Sequence, residues 1–125
     1  MIFLLKEFIY KKLNVDLIKK IVTGIYFQVP QNSKFPYIYI GDFNHKNIST
    51  KDQNMANINF KLIVYSLDKS LKFITELSES IKKLLKPDVS ILLNLVEEKI
   101  SLQNDGLTYQ IIMTFSSIIG DFNDI

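Results

Sequence analysis

The segment 56–66, ANINFKLIVYS, constrains the fold more than any other part of the chain. Ile58, Phe60, Leu62 and Val64 occupy alternate positions, with Asn57, Asn59 and Lys61 between them. That two-residue period belongs to a strand with one buried face. Ile63 and Tyr65 turn the polar face apolar toward the end of the run, as in a strand that passes beneath another element.

Two segments carry the helical period instead. In residues 2–22, Leu5, Ile9, Leu13 and Leu17 recur every four positions, with Phe8 and Ile21 beside that line and most lysines off it. Asn14 or Asp16 is a candidate cap for a second, shorter helical piece, so a bend is expected near Asn14, and Gly24 closes the element. In residues 69–86 the stripe is Leu71, Ile74, Leu77, Ile81, Leu84 and Leu85. Asp68 is its candidate N-cap, and Lys82, Lys83 and Lys86 suit the negative end of the helix dipole. Pro87 stops it.

The remaining elements are shorter or mixed in signal. Ile25 to Val29 is β-prone and ends at Pro30. Pro36 suits the first position of a strand that continues through Tyr37-Ile38-Tyr39-Ile40. Residues 44–55 are polar and read as the longest loop, of a length that is often functional. Residues 89–96 fit either a short helix or a strand, whereas alternation from Lys99 to Gln103 favours a strand. Asn104-Asp105-Gly106 is a hairpin-turn signal, followed by a strand with Tyr109, Ile111, Met113 and Phe115 on one face and then a frayed tail. The predicted order is α-β-β-β-α-β-β. It describes an α+β domain spanning residues 1–125, with a mostly antiparallel sheet and two main helices packed on one face.

Composition removes several kinds of chemistry. The chain has 125 residues, 47% hydrophobic and 22% charged, in the range of folded domains. It has no cysteine, which excludes disulfides and thiolate catalysis, and a single histidine, His45. All 15 basic residues are lysines, interspersed with 13 acids, unlike the concentrated and often Arg-rich surface of a dedicated nucleic-acid reader. The opening MIFLLKEFIYKK is broken by Lys6 and Glu7 and has neither a basic leader nor a small-residue cleavage site, so it does not read as a signal peptide. No run approaches the ~20 apolar residues of a membrane span. Folding in the cytoplasm is expected.

Candidate sites are few. His45 in the polar loop is better explained as a solvated side chain than as a general base, which would need an oriented partner and a pocket. Glu97 and Glu98, adjacent on a strand, point to opposite faces and cannot share one site. Asp42, Asp52 and Asp105 do not reproduce a calcium-loop spacing, and the four glycines are too dispersed to cradle a phosphate. Tyr37 and Tyr39 have the chemistry to stack on bases, but core or subunit contact is favoured because no lysine is interleaved with them. No cofactor or metal is expected. The segment from Asn44 to Met55, with His45, Lys46, Lys51 and Asp52, is the expected partner contact, and Tyr37, Tyr39, Ile63 and Tyr65 are the expected exposed apolar surface.

One family resemblance ties these pieces together. It is carried by Gly24-Ile25-Tyr26, Val29-Pro30 and Pro36-Tyr37-Ile38-Tyr39-Ile40-Gly41, then a polar loop, the strand Ile58 to Tyr65, the helix Leu71 to Leu85 and the Asp105-Gly106 turn. The string resembles the tail-completion, or tail-terminator, family of long-tailed phages and gene transfer agents. Tyr65 stands where that family commonly has Trp, and Glu97, Glu98 and Lys99 stand where basic residues are common. The resemblance implies a head–tail joining subunit that is not an enzyme. It implies a homo-oligomeric ring, of hexameric type, that caps the tail tube and contacts the tube protein and head connector. DNA would pass through the lumen only as cargo, and the finished protein would reside in the virion, with no membrane involved. The alternative is a small nucleic-acid-binding or regulatory α+β module.

Overall fold

In a computed structural model, which describes residues 2–67, 71–86 and 92–120, the chain forms three helices and one five-stranded sheet. The elements are α1 (Ile2–Leu13), α2 (Asp16–Lys19), β1 (Ile25–Tyr26), β2 (Tyr37–Asn47), β3 (Ala56–Ser66), α3 (Leu71–Leu84), β4 (Leu92–Leu102) and β5 (Tyr109–Ile119). Strand order across the sheet is β1-β2-β3-β5-β4; β1 runs parallel to β2 and every other pairing is antiparallel. The expected element order and α+β class are therefore observed. The segment 89–96 is strand from Leu92 onward. Asp68 and Pro87, the expected ends of α3, lie outside the described residues, as do Asp88 and the tail beyond Gly120.

The core lies between one sheet face and the helices. Residues directly opposite on paired strands share a face. Ile58, Phe60, Leu62 and Val64 of β3 stand opposite Ser117, Phe115, Met113 and Ile111 of β5. All eight are buried, and the apolar seven join Ile38 and Ile40 of β2 in a single cluster with Leu5, Ile9, Leu13 and Ile18 of the first helices and Ile74, Leu77 and Ile81 of α3. No described helix lies on the opposite face.

The first helix departs from its simple four-residue stripe. α1 ends at Leu13, and the chain restarts at Asp16 with an extended Val15, φ −122° and ψ 158°, in the cap position. Neither Asn14 nor Asp16 supplies the cap, and Val15 has no side-chain cap bond. The extended residue rotates the second helix relative to the first, so Ile18 takes the buried position and Leu17 is 55% exposed.

The segment 44–55 is also more regular than its polarity suggests. β2 continues to Asn47, and only residues 48–55 connect it to β3. Ile48 N–H donates to Met55 O at 3.0 Å and Thr50 N–H to Gln53 O at 2.9 Å, which leaves Lys51 and Asp52 at the tip of a tight hairpin. Asn47 Oδ1 and Ser49 Oγ accept the Ser49 and Met55 N–H groups. These bonds supply the pairing that the sequence, with few apolar residues to mark a period, does not advertise.

β2 also contains a bulge. Gly41 pairs with Lys61 and Asn44 with Asn59, so Asp42 and Phe43 together face Phe60. Asp42 sits at φ 53°, in the left-handed region that short polar side chains tolerate. The extra residue keeps the Asp42 carboxylate out of the core and leaves Phe43 on the helix side.

The break between α1 and α2 gives opposite expectations for two neighbours. Ile18→Ala should destabilise the protein by about 2–5 kcal/mol, as for a buried aliphatic truncation. Leu17→Ala should change stability by no more than about 0.5 kcal/mol. Urea denaturation of both variants measures the contrast; equal losses would mean one unbroken stripe.

Candidate functional site

Three surfaces stand out, and no single one gathers all the residues singled out in the sequence. At one corner of the helix-free sheet face, Tyr37, Tyr39 and Tyr65 lie together. Tyr37 pairs with Tyr65 across the β2–β3 ladder, and their ring centroids are 5.1 Å apart. Phe35 stacks on Tyr37 at 5.4 Å, and Tyr26 meets it edge-on at 6.0 Å. All three tyrosines of the candidate set are half-buried. Ile63, expected to be exposed, is only 8% exposed. It is hemmed in between Tyr39 and Ile112, its cross-strand neighbours, and so backs the aromatic corner instead of forming surface.

The glycines of the Gly-Ile-Tyr and Tyr-Ile-Gly strings belong to this corner. A Cβ at Gly24 would collide with the hydroxyl end of Tyr26, and one at Gly41 with that of Tyr39. Each tyrosine lies along its own strand over a glycine two residues away, which is why the two residue types recur together. Tyr26 and Phe35 were not among the expected site residues; a glycine two positions from a tyrosine, in Gly24-Ile25-Tyr26 as in Tyr39-Ile40-Gly41, is the sequence signal that could have found Tyr26.

Burial pushes the Tyr65 hydroxyl above the usual tyrosine range, and the neighbouring Tyr37, Tyr39 and Asp42 add to the shift. Burial alone raises Tyr37. Both hydroxyls therefore stay protonated at neutral pH and can donate as well as accept.

The second surface is the far end of the β2–β3 hairpin. Lys46 opposes Asn57 and faces the helix-free side, while His45 opposes Ile58 and faces the helix side, and both are exposed. Lys51 and Asp52 project at the exposed tip. Nothing in this arrangement orients His45 against a carboxylate. Among the described residues, no group of three or more His, Asp or Glu side chains is close enough to hold a metal ion.

The third surface is the outer edge strand β4. Glu97 opposes Thr114 on the helix-free side and Glu98 opposes Met113 on the helix side, so the pair is split between faces as the alternation requires. Glu98 is not merely solvated. Its carboxylate accepts a hydrogen bond from Ser78 Oγ at 2.6 Å and lies 3.3 Å from Lys82 Nζ, tying the edge strand to α3. Lys82 also meets Glu79 at 2.7 Å; that hydrogen bond raises the Lys82 pKa and lowers the Glu79 pKa. Beyond this clamp, Leu95, Val96, Ile100 and Leu102 are exposed apolar residues. This surface escaped the sequence reading because the character of residues 89–96 was open there.

The β4–β5 turn is held by Asp105. Its carboxylate accepts the Leu107 and Thr108 N–H groups at 2.8 Å each and the Thr108 hydroxyl at 2.6 Å, with Gly106 at φ 72°.

Together these features define a small α+β protein with a one-sided helical layer, whose conspicuous surfaces are an aromatic corner, a polar hairpin tip and a strand edge with exposed apolar residues. The chain matches the family of tail completion protein gp17 over residues 11–120, and it belongs to that family. Its fold is similar to that of a chain in the virion of a native gene transfer agent particle, with a TM-score of 0.77 and 16% identity over 90% of this chain and 92% of the other. No curated protein sequence matches it. Among the described residues, no helix is long and apolar enough to cross a membrane.

The Thr108 hydroxyl first, and then the Leu107 and Thr108 N–H groups, hold the Asp105 carboxyl below its usual range. A depressed carboxyl stabilises the fold above its unfolded pKa, and that contribution disappears as pH falls through the folded value. Asp105→Asn should therefore lower the thermal midpoint at pH 7. The gap from the parent should narrow as pH drops below 3.8, the ordinary value. Thermal scans of both proteins at neutral and acid pH measure this; a gap that widens in acid would reverse the sign.

Proposed function

We propose that this chain is a structural subunit of a phage or phage-like particle. It forms a ring, hexameric in the simplest reading, at the head-proximal end of the tail. The ring stops polymerisation of the tube protein and presents a surface to the head connector, with DNA passing through its lumen. The observation that carries this reading is membership of the tail completion family over residues 11–120. The likeness to a fold found in a gene transfer agent virion supports it.

The surfaces suit a subunit that works by shape. A protein that joins two assemblies needs separate contact areas, and the tyrosine corner and the hairpin tip lie at opposite ends of β2. Tyr37, Tyr39 and Tyr65 offer a rigid, amphipathic patch of the kind enriched at interfaces. His45, Lys46, Lys51 and Asp52 offer a polar, hydrogen-bonding patch. In this reading one meets the tube and the other the connector. The protein carries out no catalysis; it is made in the cytoplasm and ends in the virion.

Removing the gene from a strain that produces the particle tests the proposal. Electron microscopy should then show tails of uncontrolled length, with few joined to heads, and supplying the chain in trans should restore normal particles. Tails of normal length fully joined to heads in its absence would refute it.

A further inference from the structure

A closed ring requires that one patch of a subunit meet a different patch on the next copy, with the two on opposite sides of the molecule. The fold has such a pair. Lys6 of α1 lies over the rings of Phe27, just past β1, and Phe43 of β2, at 5.4 and 5.1 Å, so α1 covers the β1–β2 side of the sheet. α3 covers the opposite side through Ser78 and Lys82, which hold Glu98 of β4.

On the α1 side, Phe3, Tyr10 and Phe27 line an open cleft of about 530 Å³ together with Lys6, Glu7 and Lys11. Phe3 is 70% exposed, far more than an aromatic side chain on a helix needs to be. On the other side, β4 is an edge strand of 11 residues with Val96 64% exposed. Natural edges of that length are usually blunted, covered or paired. β4 has a bulge between Leu95 and Glu97 and carries Glu97, Glu98 and Lys99, yet Leu95, Ile100 and Leu102 remain exposed on the helix side, opposite Phe115, Ile111 and Tyr109 of β5.

The charges also match. The cleft has two lysines and one glutamate. On β4, Glu98 is already held by Ser78 and Lys82, so Glu97, exposed beside Val96, is the carboxylate placed to meet a lysine of the cleft, and Lys99 the cation placed to meet Glu7.

We infer that the β4 edge of one copy docks on the α1 cleft of the next, with Val96 and its apolar neighbours seated against Phe3, Tyr10 and Phe27. The inference rests on the ring reading and specifies which surfaces close the ring. The occupant of the cleft is a second copy of this chain. The tyrosine corner and hairpin tip then stay free for the other particle proteins.

A photo-crosslinking amino acid in place of Val96 tests this in assembled particles. Irradiation should give a ladder of covalent multimers of the chain, with the adduct mapped by mass spectrometry to residues 3–11 of another copy. Adducts only to a different protein, or to β4 of another copy, would overturn the inference and leave the ring reading standing. Particles that lack the chain would overturn both. A second measurement guards against a local effect of the probe. Val96→Lys and Phe3→Lys variants, each folded by circular dichroism and chosen to set two like charges against each other at the doubly changed interface, should each fail to form rings. Mixed, they should give a one-to-one pair that goes no further, since only one intact interface remains. Rings formed by either variant alone would contradict the assignment.

Discussion

A row of stacked aromatic rings runs across the helix-facing side of the sheet, at the centre of the core between the two layers. Phe43 of β2 stacks on Phe60 of β3 at 5.4 Å, and Phe60 on Phe115 of β5 at 5.3 Å. Phe27 extends the row past β1 at 6.4 Å, and Leu95 of β4 lies opposite Phe115 at the other end. Lys6 closes the row from above by resting its ammonium on Phe27 and Phe43. Phe60 and Phe115, both buried, sit at the centre, where large apolar side chains contribute most. The row spans the sheet from the α1 cleft to the exposed β4 edge, so the two surfaces assigned to ring closure are the two ends of one rigid element.

The bulge at Asp42 makes the row possible. Without it, strict alternation would place the Asp42 carboxylate against Phe60 and turn Phe43 to the helix-free face. Burying an unpaired carboxylate is far costlier than one residue with positive φ. The chain takes the second option, and Asp42 finds an exposed position 3.9 Å from Lys61.

Much of this was legible in the sequence, for identifiable reasons. β3 is legible with its observed bounds because Ile58 to Val64 alternate without interruption, and α3 is legible as a helix because its stripe is unbroken, its described span of Leu71–Leu84 falling inside the expected 69–86. The β4–β5 turn was legible because Asp-Gly has few other uses. Two features fall outside the sequence pattern because a local irregularity changes phase. Val15 shifts the buried position from Leu17 to Ile18, and Asp42 shifts it from an even to an odd residue in β2. The polar end of β2 lacks any apolar period, so its strand is set by backbone pairing with β3, which sequence pattern does not display. Of the candidate site, the tyrosines were visible as residues but their gathering at one corner was not, since it depends on the β1–β2–β3 register. The exposed side of β4 was hidden because its apolar residues look like core until the fold shows them exposed.

The aromatic row depends on Phe43, not Asp42, filling the place opposite Phe60. Deleting Asp42 tests that most directly, because it removes the bulge without moving Phe43 off the helix side. Urea unfolding of the deletion variant should remain cooperative, with stability within about 2 kcal/mol of the parent, since the deletion relieves a left-handed residue and removes only an exposed ion pair. Loss of cooperative unfolding on deleting that one residue would show that the strand is held by something other than the aromatic row.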